Sequence, residues 1–307
     1  MNSEVYIIVV SFNGLKWLRK CLDSTYPYQV ILIDNNSNDG TPEFIKANYP
    51  KVILLEQEEN LGFGKANNIG ISHALKLGAN HVFLLNQDAY LFPETIEMLV
   101  IAQKKNSNYG VISPIHLDGH GNRLDKSFSG YLNNNSKPHI FSDLILGFSN
   151  TLLYEISFIN AAGWLISKAA LENVGGFDPL FFHYGEDNNY CHRLEFHGYK
   201  AGVLRNSFLK HDRNDRDNDI KPIKKFDIDK YELSQKLKYS NINMDTLPDL
   251  EKLIRQFKWD IFKSVVKLNF YEAGLYKKKL NTLKKIYPQV KLSRSRNKKM
   301  GPVYLDL

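Results

Sequence analysis

His81-Val82-Phe83-Leu84-Leu85-Asn86-Gln87-Asp88-Ala89-Tyr90-Leu91 decides the fold. Its apolar residues follow one another without helical spacing, the mark of a strand buried on both faces, as in a parallel sheet. The run stops at Asn86-Gln87-Asp88. A carboxylate at the C-terminal end of a central parallel strand lies in the crevice where open α/β sheets bind ligands. Hard oxygen donors there suit Mg2+ or Mn2+ carrying a phosphorylated substrate. Asn and Asp are also common turn residues, and on this stretch alone the two readings carry equal weight.

The same pattern recurs on the N-terminal side. Residues 5–11 read as a buried strand ending at Ser11-Phe12-Asn13-Gly14, with Asn13 the expected N-cap of a helix through Leu15, Leu18, Cys21 and Leu22. Val30 to Ile33 gives a second strand, ending at Asp34-Asn35-Asn36-Ser37-Asn38-Asp39-Gly40, before Thr41-Pro42-Glu43 caps and opens a helix. Val52 to Leu55 gives a third, followed by Asn60-Leu61-Gly62-Phe63-Gly64 and a helix through Ile69, Ala74 and Leu75. Alternating strand and helix predict a right-handed parallel βα sheet. Parallel strands place all four polar loops on one edge, where they form a pocket.

On the C-terminal side, a helix is expected over 93–104, starting at Pro93, and a short strand at Val111-Ile112-Ser113. Residues 116–150, with Asn133-Asn134-Asn135, read as long surface loops or a hairpin. Phe158 to Ile166 resumes an apolar pattern, and Lys168 to Asn173 is a short helix closed by Gly175-Gly176. Phe182-His183-Tyr184-Gly185-Glu186-Asp187 then precedes a helix over 188–197, so Glu186 and Asp187 stand at a helix N-terminus. Acids there can serve only the helix dipole, worth about 0.3–1 kcal/mol. The aromatic residues before them also resemble the wall of a sugar site. Val203 to Leu209 is a last strand delivering His211, and 212–219 reads as a solvated loop. Residues 249–270 form an amphipathic helix with Leu250, Leu253, Ile254, Phe257, Ile261, Val265 and Leu268 on one face.

A chain of 307 residues can bury a substantial core, and 43% apolar with 24% charged residues is ordinary for a globular protein. No apolar run reaches the ~18 residues of a membrane span, and no basic segment precedes the first strand, which argues against a secretory signal. Cys21 and Cys191 lie in unrelated contexts and indicate neither a disulfide framework nor a zinc site. The expected location is cytoplasmic. The net charge of +7 is uneven: ten Lys and Arg and no acid lie between Ala273 and Leu305, leaving the rest mildly acidic. This argues against a nucleic-acid-binding core and for a tail that meets something anionic, with a solvated extension or a dimer contact of equal weight.

Taken in order, Val9-Val10-Ser11-Phe12-Asn13, Asp34 to Thr41, Asn60-Leu61-Gly62-Phe63, Leu85-Asn86-Gln87-Asp88 and Gly185-Glu186-Asp187 resemble the family 2 glycosyltransferases. The branch they are most similar to is the bacterial rhamnosyltransferase-like enzymes of polysaccharide synthesis. The resemblance covers roughly residues 5–215. It implies a GT-A fold: a mainly parallel sheet flanked by helices, with a nucleotide-binding part over about 1–115 and an acceptor-binding part over about 116–220. A helical, basic extension over 221–307 lies beyond it. By resemblance, Ser11, Phe12, Asn13, Asp34, Asn36, Asn60, Gly62, Asn67, Asn86 and Gln87 bind the nucleotide, with Asp34 accepting from the base. Asp88 and His211 would hold Mn2+ or Mg2+, and Asp187, with Glu186 second, would be the general base of an inverting transfer. Trp164, Phe182 and Tyr184 would pack on sugar faces, although core packing is an equal reading for Trp164. Asn86 departs from the family by replacing the first acid of its Asp-x-Asp motif, and Asn67 stands where many relatives carry Arg. The implied partners are a UDP- or dTDP-sugar, a saccharide or lipid-linked saccharide acceptor, and an anionic membrane surface met by the basic tail. The oligomeric state is left open.

Two rival readings stay in view. One is a partner subunit that binds sugar nucleotide without turnover. The other is a dinucleotide-dependent dehydrogenase, since Gly62-Phe63-Gly64-Lys65-Ala66-Asn67 approaches G-x-G-x-x-G. It lacks the third glycine and follows the third strand rather than the first.

Overall fold

The structure is a computed structural model and describes residues 4–135, 140–147, 149–213 and 226–307. The chain divides into two compact units, Met1–Asp219 with Met300–Leu307, and Ile220–Lys299.

The first unit runs β1 (Val5–Ser11), α1 (Leu15–Asp23), β2 (Gln29–Asp34), α2 (Thr41–Asn48), β3 (Ile53–Glu56), α3 (Gly62–Lys76), β4 (His81–Asn86), β5 (Ala89–Leu91), α4 (Thr95–Lys105) and β6 (Tyr109–Asp118). It continues through α5 (Lys126–Asn135), α6 (Ile140–Leu146), β7 (Leu153–Ile156), β8 (Gly163–Ser167), α7 (Lys168–Val174), α8 (Glu186–Phe196) and β9 (Lys200–His211). The sheet order is β3-β2-β1-β4-β8-β6-β9-β5, with β7 paired to β9. Its first four strands are parallel, as the apolar runs predict, and β8 enters antiparallel against β4. Beyond that point the sheet is mixed: β6 and β9 are parallel to each other, while β5 and β7 run antiparallel to β9.

Alternate residues serve opposite faces, because strand side chains have a period of two. Ile8, Ile31, Val82, Leu84, Trp164 and Ile166 share one buried cluster with residues of α3, α7 and α8. Ile7, Val9, Leu32, Phe83, Leu85 and Leu165 share the other with residues of α1 and α4. Both faces are therefore covered, which is why the runs show no polar alternation. Register aligns the strand ends: Ser11 lies opposite Asp34 and Val10 opposite Asn86. The amide of Asn86 donates to Ala162 O at 3.1 Å, so the segment before β8 joins the same edge.

Several local expectations are corrected. Asn13 is not a helix cap; it has φ 49°, and α1 starts after Gly14, which makes no side-chain cap. Thr41 is the first residue of α2 rather than its cap, and its amide and hydroxyl both donate to Asp39 Oδ1 at 3.1 and 2.7 Å. Pro93 lies before α4 rather than in it, and β6 has ten residues where a short strand is expected. Residues 116–150 are not merely loops: α5 and α6 occupy them, with Phe128, Leu132 and Ile140 buried. Of the solvated loop expected over 212–219, residues 214–219 lie outside the described residues.

Residues 300–307 belong with the first unit, although the sequence places them in the basic extension. Gly176 N donates to Val303 O and Asp306 N to Ser72 Oγ, at 2.9 and 3.0 Å. Gly175 has φ 84°, and a Cβ there would lie 2.2 Å from Val303 O, so this strap requires a glycine. The second unit comprises α9 (Ile228–Ser240), α10 (Leu247–Val266) and α11 (Phe270–Asn297). Buried Arg294 of α11 donates to the carbonyls of Tyr239, Asn241 and Met244, tying down the link between α9 and α10.

Candidate active site

The strand ends open onto a cleft of about 640 Å³. Its floor is Val10, Phe12, Asn86, Gln87 and Asp88, and one side is Asn35, Asn60, Gly62 and Phe63. The remaining walls come from Ser127 and Tyr131 of α5, the Asn160–Ala162 segment, Phe182 to Tyr184, Glu186, Asp187 and Arg213.

The nucleotide side is built by side chains that hold loops. Gln87 Oε1 accepts from Ser11 Oγ and Phe12 N, both at 3.0 Å, and so fixes the chain after β1 while Phe12 stays exposed. Asn35 is buried; its Nδ2 donates to Asn60 Oδ1 at 2.8 Å and its Oδ1 accepts from Leu61 N at 2.9 Å. Asn60 Oδ1 also accepts from Gly62 N. Gly62 has φ 77°, and a Cβ on it would lie 2.0 Å from Phe182 O, so only glycine lets this loop approach the opposite wall. Asp34 is buried at the end of β2: Oδ2 accepts from Ser37 N at 2.9 Å, and Oδ1 has no hydrogen-bond partner among the described residues. A buried carboxylate oxygen with spare acceptor capacity is what a base N–H would fill.

Asp88 and His211 meet although they come from distant strands. Ala89 lies opposite His211 where β5 pairs with β9, which brings Asp88 Oδ1 to 3.4 Å from His211 Nε2 with both side chains buried. Arg213 Nε donates to the same His211 nitrogen at 3.2 Å and lies 3.7 Å from Asp125 Oδ2.

Glu186 and Asp187 open α8 behind Gly185, the N-cap, which has φ 93° and makes no side-chain cap. Burial, and next the Asp187 charge, push the Glu186 carboxyl up to about 8, and its Oε2 has no hydrogen-bond partner among the described residues. Burial also raises Asp187, to about 6, against the backbone N–H groups of Asn188 and Ala161 that favour its charged form. Both carboxyls are thus held above the ordinary carboxylate range, Glu186 the further of the two.

The other expected site residues divide as well. Phe182 and Tyr184 line the cleft and are 61% and 62% exposed, open to a ligand. Trp164 does not: it is fully buried, stacked on Phe177 and tilted against Tyr190. Asn67 is buried in α3, with its Nδ2 bonded to Phe63 O, and lies off the cleft lining. Asn13 and Asn36, both at positive φ, shape the loops instead: Asn13 bonds Ser37 and Asn38, and Asn36 is exposed outside the lining. Sequence reasoning missed Asn35, Ser127, Tyr131, Asn160 and Arg213. Phe128, Tyr131 and Leu132 do carry helical spacing, which was the available signal for α5.

A family model for glycosyl transferase family 2 matches residues 6–175. The chain belongs to this family, and the protein is a glycosyltransferase with a role in glycan synthesis. The dTDP-rhamnosyl transferase RfbF of Shigella flexneri is 27% identical over 219 residues, covering 70% of this chain and 71% of its own. The N-acetylglucosaminyl-diphospho-decaprenol L-rhamnosyltransferase of Mycobacterium tuberculosis is 26% identical over 235 residues, covering 66% and 73%. Among solved structures, S. aureus TarS 1–349 with UDP aligns at TM-score 0.55 and 17% identity over 96% of this chain and 88% of its own. The mannosyltransferase PcManGT of Pyrobaculum calidifontis, with GDP-Man and Mn2+, aligns at 0.52 and 16%, covering 94% and 73%. The fold is accordingly GT-A, with a helical C-terminal extension.

Proposed function

We propose that the protein is an inverting glycosyltransferase moving a sugar from a UDP- or dTDP-sugar to a saccharide or lipid-linked saccharide acceptor. The observation that carries this reading is that Asp88 and the Glu186–Asp187 pair of carboxyls line one cleft. The dTDP-rhamnosyl transferase among its relatives supports a dTDP-sugar donor, and the L-rhamnosyltransferase supports a lipid-linked acceptor.

The nucleoside lies over Phe12, with its base N–H on Asp34. The diphosphate lies toward Asp88, His211 and Arg213. Among the described residues no three His, Cys, Asp or Glu side chains cluster as a metal site. Asp88 and His211, buried with Oδ1 and Nε2 3.4 Å apart, would hold a hard divalent ion. Bound there, Mn2+ or Mg2+ would supply positive charge against the leaving diphosphate. Asp187 takes the proton from the acceptor hydroxyl, and that oxygen attacks the anomeric carbon from the face opposite the diphosphate. The carbon–oxygen bond to the diphosphate breaks, its electron pair leaves with the nucleoside diphosphate, and the configuration inverts. Arg213 supplies a fixed positive charge where the family's first metal-motif acid is replaced by Asn86.

No helix among the described residues is long and apolar enough to cross a membrane. We place the enzyme at the cytoplasmic face of a membrane, held there peripherally by the basic extension. A thermal-shift screen of nucleotide sugars with Mn2+ or with chelator tests the donor reading. Stabilisation by a UDP- or dTDP-sugar that needs the metal supports it, and stabilisation by NAD alone contradicts it.

A further inference from the structure

The sequence puts Val265 and Leu268 on the buried side of an amphipathic helix, but the structure turns both outward. The buried residues near this end of the α10–α11 hairpin are Phe257, Ser264 and Ala273. Trp259, Phe262, Val265, Val266, Leu268, Phe270 and Tyr271 are instead 45–74% exposed. Seven large apolar side chains within thirteen residues are a patch, not scattered surface. Trp259 and Phe262 stack at 5.4 Å between centroids, and Lys263 Nζ lies 5.3 Å from the Trp259 ring. Leu268, at 74% exposure, sits in the turn between the helices with φ 57°. A glycine or asparagine would make this turn with less strain, and the leucine gains no burial.

The outward surfaces away from the turn differ. Glu251, Lys252 and Arg255 of α10, and Lys284 and Lys291 of α11, are exposed and charged. Charge around the patch is net positive: from Lys258 to Lys278 there are five lysines and two acids. One of those acids, Glu272, is bonded to Asn269 Nδ2 at 3.2 Å. Exposed Trp, Tyr, Phe and Leu at a helical turn, flanked by lysines that can extend to headgroups, fit the interface of an anionic bilayer. A protein partner would need no such excess of lysine.

We infer that the α10–α11 turn is a monotopic anchor, whose apolar side chains enter the interface of an anionic membrane while Lys258, Lys263 and Lys267 meet lipid headgroups. This deepens the peripheral docking proposed above. It also shifts that docking from the whole basic stretch to one turn, because Arg294 is buried, Lys285 pairs with Glu232 at 3.0 Å, and Lys279 lies against Phe226, Tyr231, Phe257 and Tyr276.

The test is cosedimentation of the full chain with phosphatidylcholine vesicles, alone and with about one third phosphatidylglycerol, at low and high salt. UDP and dTDP binding is measured on the same samples. The full chain should partition onto anionic vesicles. Phe262→Ser/Leu268→Ser/Phe270→Ser should reduce partitioning at least ~10-fold with nucleotide binding unchanged. Lys263→Glu/Lys267→Glu, which leaves the apolar residues in place, should also weaken it and abolish its salt sensitivity. Absent partitioning of the full chain, or a triple variant within about twofold of it, overturns the anchor while intact nucleotide binding leaves the donor reading standing. Light scattering that shows a dimer dispersed by the triple variant, without vesicle binding, assigns the turn to a second copy and also overturns it.

Discussion

His211 Nε2 lies 3.4 Å from Asp88 Oδ1, with both side chains buried, at the point where the antiparallel β5–β9 pairing ends over the cleft. The backbone holds them there: Asp212 N donates to Asp88 O at 2.8 Å, continuing the ladder past the last paired residues. Arg213 Nε lies 3.2 Å from that same imidazole nitrogen, so the guanidinium joins the pair. Asp88 and His211 would be the residues that hold a divalent ion, which would supply positive charge beside the donor diphosphate, with Arg213 next to them.

Asp88→Ala is therefore expected to keep the fold and lose metal-dependent donor binding. Calorimetry with Mn2+ should give the affinity that the wild type shows in chelator. Unchanged affinity with Mn2+ would take Asp88 out of the donor site.

Transfer should rise with pH through about 6 as the Asp187 carboxyl ionises. Asp187→Asn should lose transfer by about 10²-fold or more with donor affinity retained, because an amide cannot take the acceptor's proton. If Glu186→Gln is the inactive variant and Asp187→Asn is active, the roles are reversed.

Glu186 also links stability to pH. Its carboxyl titrates at about 8 in the fold, against an ordinary 4.5. The protonated form is the one the fold favours, so this stabilisation is full below about 4.5 and is lost as pH rises through about 8. Glu186→Gln should therefore be more stable than wild type at pH ~9, by on the order of a few kcal/mol, and differ little at pH ~4.5. Urea denaturation at the two pH values measures this, and equal pH slopes would contradict it.

Gly62→Ala tests the contact between the cleft walls. Positive φ and the Phe182 carbonyl both oppose a Cβ, so a loss of more than ~1 kcal/mol is expected. Donor affinity should fall with it, since Asn60 and Phe182 stand on the two walls that this contact joins. Chemical denaturation and calorimetry on the same protein provide the check, and a variant as stable as wild type would show that the walls part at no cost.

The half of the fold that carries the nucleotide was legible because its strands are short, apolar and two-faced, and each ends in Asn, Asp or Gly. That pattern places Asp34, Asn60, Gln87 and Asp88 at one edge. The acceptor side was not. Gly130 and the Asn133–Asn135 run are poor helix formers, and they hid α5, whose Tyr131 and Ser127 line the cleft. Arg213 was passed over as part of a charged loop, because only the β5–β9 pairing shows that it reaches His211. Trp164 was ambiguous for the opposite reason: an aromatic residue beside Gly163 reads equally as a sugar platform or as core. The burial of both faces of β8 decides for core.

The measurement that tests the central claim most directly is release of nucleoside diphosphate from UDP- and dTDP-sugars, with Mn2+, by wild type, Asp88→Ala and Asp187→Asn, beside donor binding by each. The expected result is metal-dependent release by the wild type. Asp88→Ala should neither bind donor with metal dependence nor release product, whereas Asp187→Asn should bind the donor and transfer nothing to an acceptor. Wild-type protein that binds these donors but never breaks the sugar–diphosphate bond, with or without acceptor, would contradict the assignment of this cleft to sugar transfer.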